Sequence, residues 1–147
     1  MTEQARKTVV ERLLPRAFLI TPNLHEAGEL AGMPVDTIEA MGEAAAKIAA
    51  MGAKSVLVKG GHLEGDAVDL LYSQGEIHFF RAPRICTQHT HGTGCTYSAC
   101  ITAELAKGQN LVDAVGIAKK FITRAIETAP GLGKGAGPVN HHAQIES

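Results

Sequence analysis

His91-Gly92-Thr93-Gly94-Cys95-Thr96 stands directly before a stretch with helical apolar spacing. Paired glycines let a backbone approach an anion closely, and the first turn of a helix offers unpaired N–H groups and the positive end of its dipole. The same field favours a thiolate, so Cys95 occupies a position where a side chain is activated. Phosphate oxygens held beside an activated side chain are what phosphoryl transfer requires. Taken alone, the segment reads equally well as a glycine-rich helix start that binds nothing, because short glycine motifs recur widely.

Two other places carry residues of the right type. Asn23 and Glu26 are three apart at the end of one apolar run and the start of a helix, so both can face one crevice. The plainer reading is that Asn23 caps the helix and Glu26 favours its first turn. Lys59 closes a second apolar run and is followed by Gly60 and Gly61. Open α/β sheets bind ligands outside the carboxyl ends of their strands, although a lysine at a strand end is also ordinary surface. Cys86, Cys95 and Cys100 with His89 and His91 suggest a zinc cluster by composition, but the paired C-x2-C and H-x3-H spacings are missing. Cys100, on the helix after Cys95, reads as packing.

The elements that must position these residues follow from periodicity. Glu3 to Leu14 has helical spacing and is stopped by Pro15, and Ala17 to Ile20 reads as a buried strand. Leu24 to Ala31 is a short helix closed by Gly32, and a further helix starts at Asp36 or Thr37 and ends at Gly52. Ser55 to Lys59 is continuously apolar up to its lysine, as expected of a parallel strand covered on both faces. Ala67 to Ser73 and Glu76 to Arg81 flank Gln74-Gly75, a hairpin signal. Helices are expected from about Gly94 to Lys107 and from Leu111 to about Thr128, followed by a glycine-rich tail over 130–138. This order argues an α/β fold, a mostly parallel sheet flanked by helices.

The chain has 147 residues, 45% hydrophobic and 20% charged, with a formal net charge of −1. That balance suits one packed domain and offers no basic stripe for nucleic acid or membrane surfaces. No export signal or run of membrane-spanning length is visible, so three reduced cysteines and a cytoplasmic location are expected.

H-G-T-G-C-T, T-P-N-L-H-E-A (21–27), V-K-G-G-H (58–62) and G-P-V-N-H (137–141) occur in one order. Together they resemble the hydroxymethylpyrimidine/phosphomethylpyrimidine kinases of thiamine biosynthesis, over nearly the whole chain. The resemblance implies a ribokinase-like fold that transfers the γ-phosphoryl group of ATP, with Mg²⁺, to a pyrimidine alcohol or its monophosphate. It implies that Gly92, Thr93 and Gly94 form an anion hole and that Cys95 is the general base, where most ribokinase relatives carry aspartate. It also implies that Lys59 lies near the ATP phosphates, and that Asn23 and Glu26 organise Mg²⁺ through water. Cys86 departs from the family, which often has an acidic residue there.

Complete members carry a substantial region before T-P-N, with several strands and most of the alcohol pocket. The chain is therefore expected to be a single partial domain, the C-terminal nucleotide-binding and catalytic half, and weak or inactive alone because catalysis needs both reactants in register. Its expected partners are a nucleotide, a small alcohol and either a complementary N-terminal half or further copies of itself. Two other readings stand beside this one: a fragment of a pyridoxal or hydroxyethylthiazole kinase, and a non-catalytic binding or oligomerising module with an exposed sheet edge.

Overall fold

The computed structural model of the chain describes residues 2–61 and 65–145. His62, the last residue of the V-K-G-G-H motif, lies outside the described residues. The chain divides into two compact units, Met1–Arg81 and Ala82–Ser147.

The first unit opens with helix α1 (Glu3–Thr8), capped by the Thr2 hydroxyl. A wide π turn over Val9–Leu13 and a 3-10 turn over Leu14–Arg16 follow. One continuous α-helix to Leu14 was expected. The π turn inserts an extra residue and shifts the helical phase, and Leu14 is fully buried while Leu13 is 55% exposed. Helices α2 (Leu24–Ala31) and α3 (Ile38–Ala50) match the expected spans. Gly32 ends α2 in the left-handed conformation that a residue with a Cβ avoids.

Strands β1 (Ser55–Gly60), β2 (Ala67–Ser73) and β3 (Glu76–Ala82) form a sheet in the order β1-β2-β3. The β1–β2 ladder is antiparallel, pairing Ser55 with Ser73 and Lys59 with Asp69. Gln74 and Gly75 both have positive φ between β2 and β3, as a two-residue I′ hairpin turn requires. Parallel pairing is present on the other side of β1 as isolated bridges, Ile20 to Val56 and Asn23 to Lys59. The Ile20 N–H donates to the Ser55 carbonyl at 3.1 Å, and the Leu57 and Lys59 N–H groups donate to Ile20 and Pro22 at 2.8 and 2.9 Å. The segment 17–23 is thus an extended partner of β1 rather than a buried strand, and Phe18 within it is 51% exposed. The unbroken apolar run of β1 reflects burial on both faces, with one parallel and one antiparallel neighbour.

Helices α2 and α3 pack against β1, and α3 also against β2. The core between them joins Leu14, Ala27, Leu30, Met41, Ala44, Ile48, Val56, Val58 and Leu70. Each large side chain so buried stabilises the unit by roughly 1.5–3 kcal/mol. Gly60 is required by space, because a Cβ there would run into the backbone carbonyl of Val68.

The second unit is a helical pair, α4 (Thr93–Ala106) against α5 (Leu111–Glu127), with an extended tail. Tyr97, Ile101 and Glu104 are buried on α4, and Ala114, Val115, Ala118, Ile122 and Ala125 on α5. Both sets recur every three or four residues, the spacing of one helix face. The tail is stitched back: the His91 N–H donates to Gly137 at 3.0 Å and the Val139 N–H to His91 at 3.3 Å. No helix among the described residues is long and apolar enough to cross a membrane.

Candidate active site

In the first unit, Asn23 is the N-cap of α2 and forms a complete capping box with Glu26. The Asn23 Oδ1 accepts from the Glu26 N–H, and the Glu26 carboxylate Oε2 accepts from the Asn23 N–H, both at 2.8 Å. Such a box satisfies two of the helix's orphan donors reciprocally. Both readings of the pair therefore meet in one geometry, since the exposed Glu26 keeps its second oxygen, Oε1, without a partner among the described residues. The parallel bridge places Lys59 beside Asn23 at the carboxyl end of β1. Asn23, Glu26 and Lys59 are thereby gathered at one end of the sheet by a strand register and a helix cap.

Sequence reasoning missed Asp69 there. It is 3% exposed, lies opposite Lys59 in the ladder, and accepts the Gly60 N–H at 3.0 Å. A buried carboxylate needs hydrogen-bond partners, and this one fixes the backbone next to Lys59. The available signal was a lone acid inside the apolar run Ala67-Val68-Asp69-Leu70-Leu71.

In the second unit, α4 begins at Thr93, one residue earlier than expected, after Gly92 with φ 85°. No side chain caps it. The Thr93 N–H and hydroxyl both donate to the Thr90 carbonyl, at 3.2 and 2.7 Å, and the Thr96 N–H donates to Gly92 at 2.8 Å. The N–H groups of Gly94 and Cys95 have no acceptor among the described residues. Cys95 itself is exposed on this turn. The arrangement offers a pair of open backbone donors, which suit an anionic oxygen, beside an exposed thiol.

The other cysteines differ. Cys86 is exposed in the irregular stretch before α4, and Cys100 is half-buried within it. Burial pushes the Cys100 thiol up, aided by the Glu104 carboxylate and opposed by the Lys107 ammonium. Cys100 is therefore held as a neutral packing group. Glu104 is 9% exposed and is held by Lys107 at 2.6 Å. Sequence reasoning quoted the G-P-V-N-H motif but gave no role to its His141, whose Nε2 lies 3.1 Å from the Thr96 hydroxyl, or to its Asn140, which ties the tail to α5.

The likeness to solved kinase structures shows a ribokinase-like α/β fold. A pyridoxal kinase from Bacillus subtilis in an ADP complex superposes with a TM-score of 0.92 at 44% identity, covering 97% of this chain and 57% of that one. A pyridoxal kinase from Staphylococcus aureus, in complex with AMP-PCP and pyridoxal, superposes with a TM-score of 0.93 at 36% identity, covering 97% and 54%. Residues 1–140 match the phosphomethylpyrimidine kinase family, and the chain belongs to that family. The hydroxymethylpyrimidine/phosphomethylpyrimidine kinase of Streptomyces coelicolor is 48% identical over 141 residues, 96% of this chain and 52% of that protein. The chain thus spans about half the length of this curated relative.

Proposed function

We propose that the chain carries the phosphate-binding and catalytic-base part of an ATP-dependent kinase acting on hydroxymethylpyrimidine or its monophosphate. The observation that carries this reading is the first turn of α4, uncapped, with the Gly94 and Cys95 N–H groups open beside an exposed thiol. The family match and the pyrimidine kinase of Streptomyces support the substrate class. On this reading the Gly92-Thr93-Gly94 turn holds phosphate oxygens through backbone N–H groups. In its thiolate form Cys95 accepts the alcohol's proton, becoming a neutral thiol, as the alcohol oxygen attacks the γ-phosphorus and the bond to the ADP oxygen breaks. Lys59 stabilises phosphate charge at its strand end.

Glu26 Oε1 suits a hydrated Mg²⁺, which usually keeps several waters and takes one or two carboxylates. When bound, the ion would offset negative charge on the phosphates; Asn23 holds the Glu26 carboxylate in place through the capping box. The two units are proposed to be parts of one partial kinase domain, each contributing the residues named for it.

The test is co-expression with the N-terminal half of a pyrimidine kinase relative, followed by an assay for ATP-dependent phosphorylation of hydroxymethylpyrimidine. Restored transfer that disappears with Cys95→Ala supports the reading; a soluble, paired complex without transfer refutes it. A second reading, phosphorylation of pyridoxal, is favoured by the likeness to the two pyridoxal kinases. Running pyridoxal in the same assay separates the two by relative kcat/KM.

A further inference from the structure

We propose that His141 is a positioning residue for the Gly92–Cys95 turn, holding it from the tail through the Thr96 hydroxyl; its bearing on catalysis rests on the phosphate-binding reading of that turn. Four capped helices, α1, α2, α3 and α5, begin with a side-chain oxygen from Thr2, Asn23, Thr37 or Asn110. The N-cap of helix α4 is Gly92, which has none. A helix end without a cap frays unless tertiary contacts replace the missing bonds.

The tail supplies such contacts. Its backbone pairs with His91 on both sides of Pro138, through Gly137 and Val139. Asn140 then makes four bonds: its N–H donates to Ala125 at 2.9 Å, its side-chain amide donates to the Thr128 hydroxyl at 3.0 Å, its Oδ1 accepts from the His142 N–H at 3.0 Å, and its carbonyl accepts from the Ala143 N–H at 3.3 Å. Val139 and Ala143 are buried on either side, 2% and 9% exposed. The backbone flanking His141 is therefore fixed before its ring makes any contact, and little ordering entropy remains to oppose the bond.

The ring nitrogen Nε2 meets the Thr96 Oγ1 at 3.1 Å. That hydroxyl lies over Gly92, where an added Cβ would stand 3.9 Å from it, and the Thr96 N–H closes the turn onto the Gly92 carbonyl at 2.8 Å. His141 thus reaches the residue that closes the turn, one position beyond Cys95. It touches no reacting atom on this account and acts through Thr96.

Amide hydrogen exchange of the full chain, read by peptide mass spectrometry over 90–97, tests the proposal without any activity. His141→Ala and Thr96→Val should each speed exchange there about fivefold, the weight of one modest hydrogen bond. The double variant should exchange no faster than either single one. His141→Gln, whose amide nitrogen can reach the same hydroxyl, should restore the wild-type rate, and His142→Ala, exposed and one residue further on, should not change it.

Wild-type rates in both His141→Ala and Thr96→Val, multiplying effects in the double variant, or no rescue by His141→Gln would overturn the proposal. If His141→Ala fails to fold, Thr96→Val alone decides by the same criterion. Calorimetry with AMP-PCP and Mg²⁺ on the same proteins keeps the two readings apart. A wild-type chain that binds no nucleotide refutes the phosphate-binding reading, while the exchange rates still decide the role of His141.

Discussion

Helices α2 and α4 both start at a residue next to extended backbone, yet their first turns end up in opposite states. At α2, Asn23 and Glu26 satisfy each other's backbone donors in a closed box. At α4, Gly92 offers no side-chain oxygen, and the N–H groups of Gly94 and Cys95 have no acceptor among the described residues. One residue at the N-cap, asparagine against glycine, thus decides whether a helix dipole is answered by the chain itself or left for a ligand. Lacking a cap, the open end is expected to be the less stable one locally, and the tail is proposed to support it.

The largest effect is expected at the open end. In an enzyme completed with an N-terminal half, Cys95→Ala should lower single-turnover phosphorylation by about 10²–10⁴-fold, the usual weight of a general base. Nucleotide affinity measured by calorimetry should change by no more than about twofold, because the base acts in the transition state. Cys95→Asp, the residue most ribokinase relatives carry there, should keep part of the rate. Full activity in Cys95→Ala would remove the thiol from the mechanism.

Closing the α4 turn with charge is the next sharpest intervention. Thr93→Asp places a carboxylate beside the open donors, and like-charge repulsion should weaken AMP-PCP binding about tenfold or more. Urea unfolding should move by less than about 1 kcal/mol, because the new helix-dipole interaction offsets the lost hydroxyl bond. Unchanged affinity would mean that the turn does not hold phosphate.

At the closed end the effects should be smaller and structural. Asn23→Ala should cost about 1 kcal/mol in urea unfolding through loss of the cap. Glu26→Gln should be close to neutral for stability, since glutamine also serves in a capping box. If Glu26 holds hydrated Mg²⁺, the same substitution should nonetheless reduce the magnesium dependence of nucleotide binding. A Glu26→Gln chain with wild-type magnesium dependence leaves the pair with its capping role alone.

The smallest effect concerns Cys100. Burial, then the Glu104 carboxylate, pushes its thiol up against the opposing pull of Lys107. An acid with a raised folded value contributes stability that is fully present below the ordinary thiol range and is lost as pH rises through the folded value. Peptide-resolved alkylation near pH 8 should therefore label Cys100 more slowly than the exposed Cys86, with the gap closing as pH rises. Equal rates at pH 8 would contradict the assignment of Cys100 as a neutral packing group.

Much of this was legible in the sequence where one residue type dictates local geometry. Gln74-Gly75 announced the hairpin because few residue pairs tolerate two positive φ values. Gly32 marked a helix end for a similar reason, and Asn23 marked one through its capping side chain. The direction of the β1–β2 pairing was not legible, because a run buried on both faces looks the same in either direction. The phase shift before Leu14 was also hidden, since a π turn leaves no periodic trace in so short a helix. Of the candidate residues, those whose partners lie nearby in sequence could be read directly. Asp69 beside Lys59, and His141 on Thr96, depend on strand register and tail docking that no local pattern encodes.

The most direct test of the proposed nucleotide role is calorimetric titration of the chain with AMP-PCP, with and without Mg²⁺, beside Lys59→Ala. Binding that needs magnesium and weakens by about tenfold in the variant, as the loss of one charge-assisted contact predicts, would establish that the chain holds nucleotide phosphates by itself. A folded chain that takes up no heat with either metal condition would contradict it.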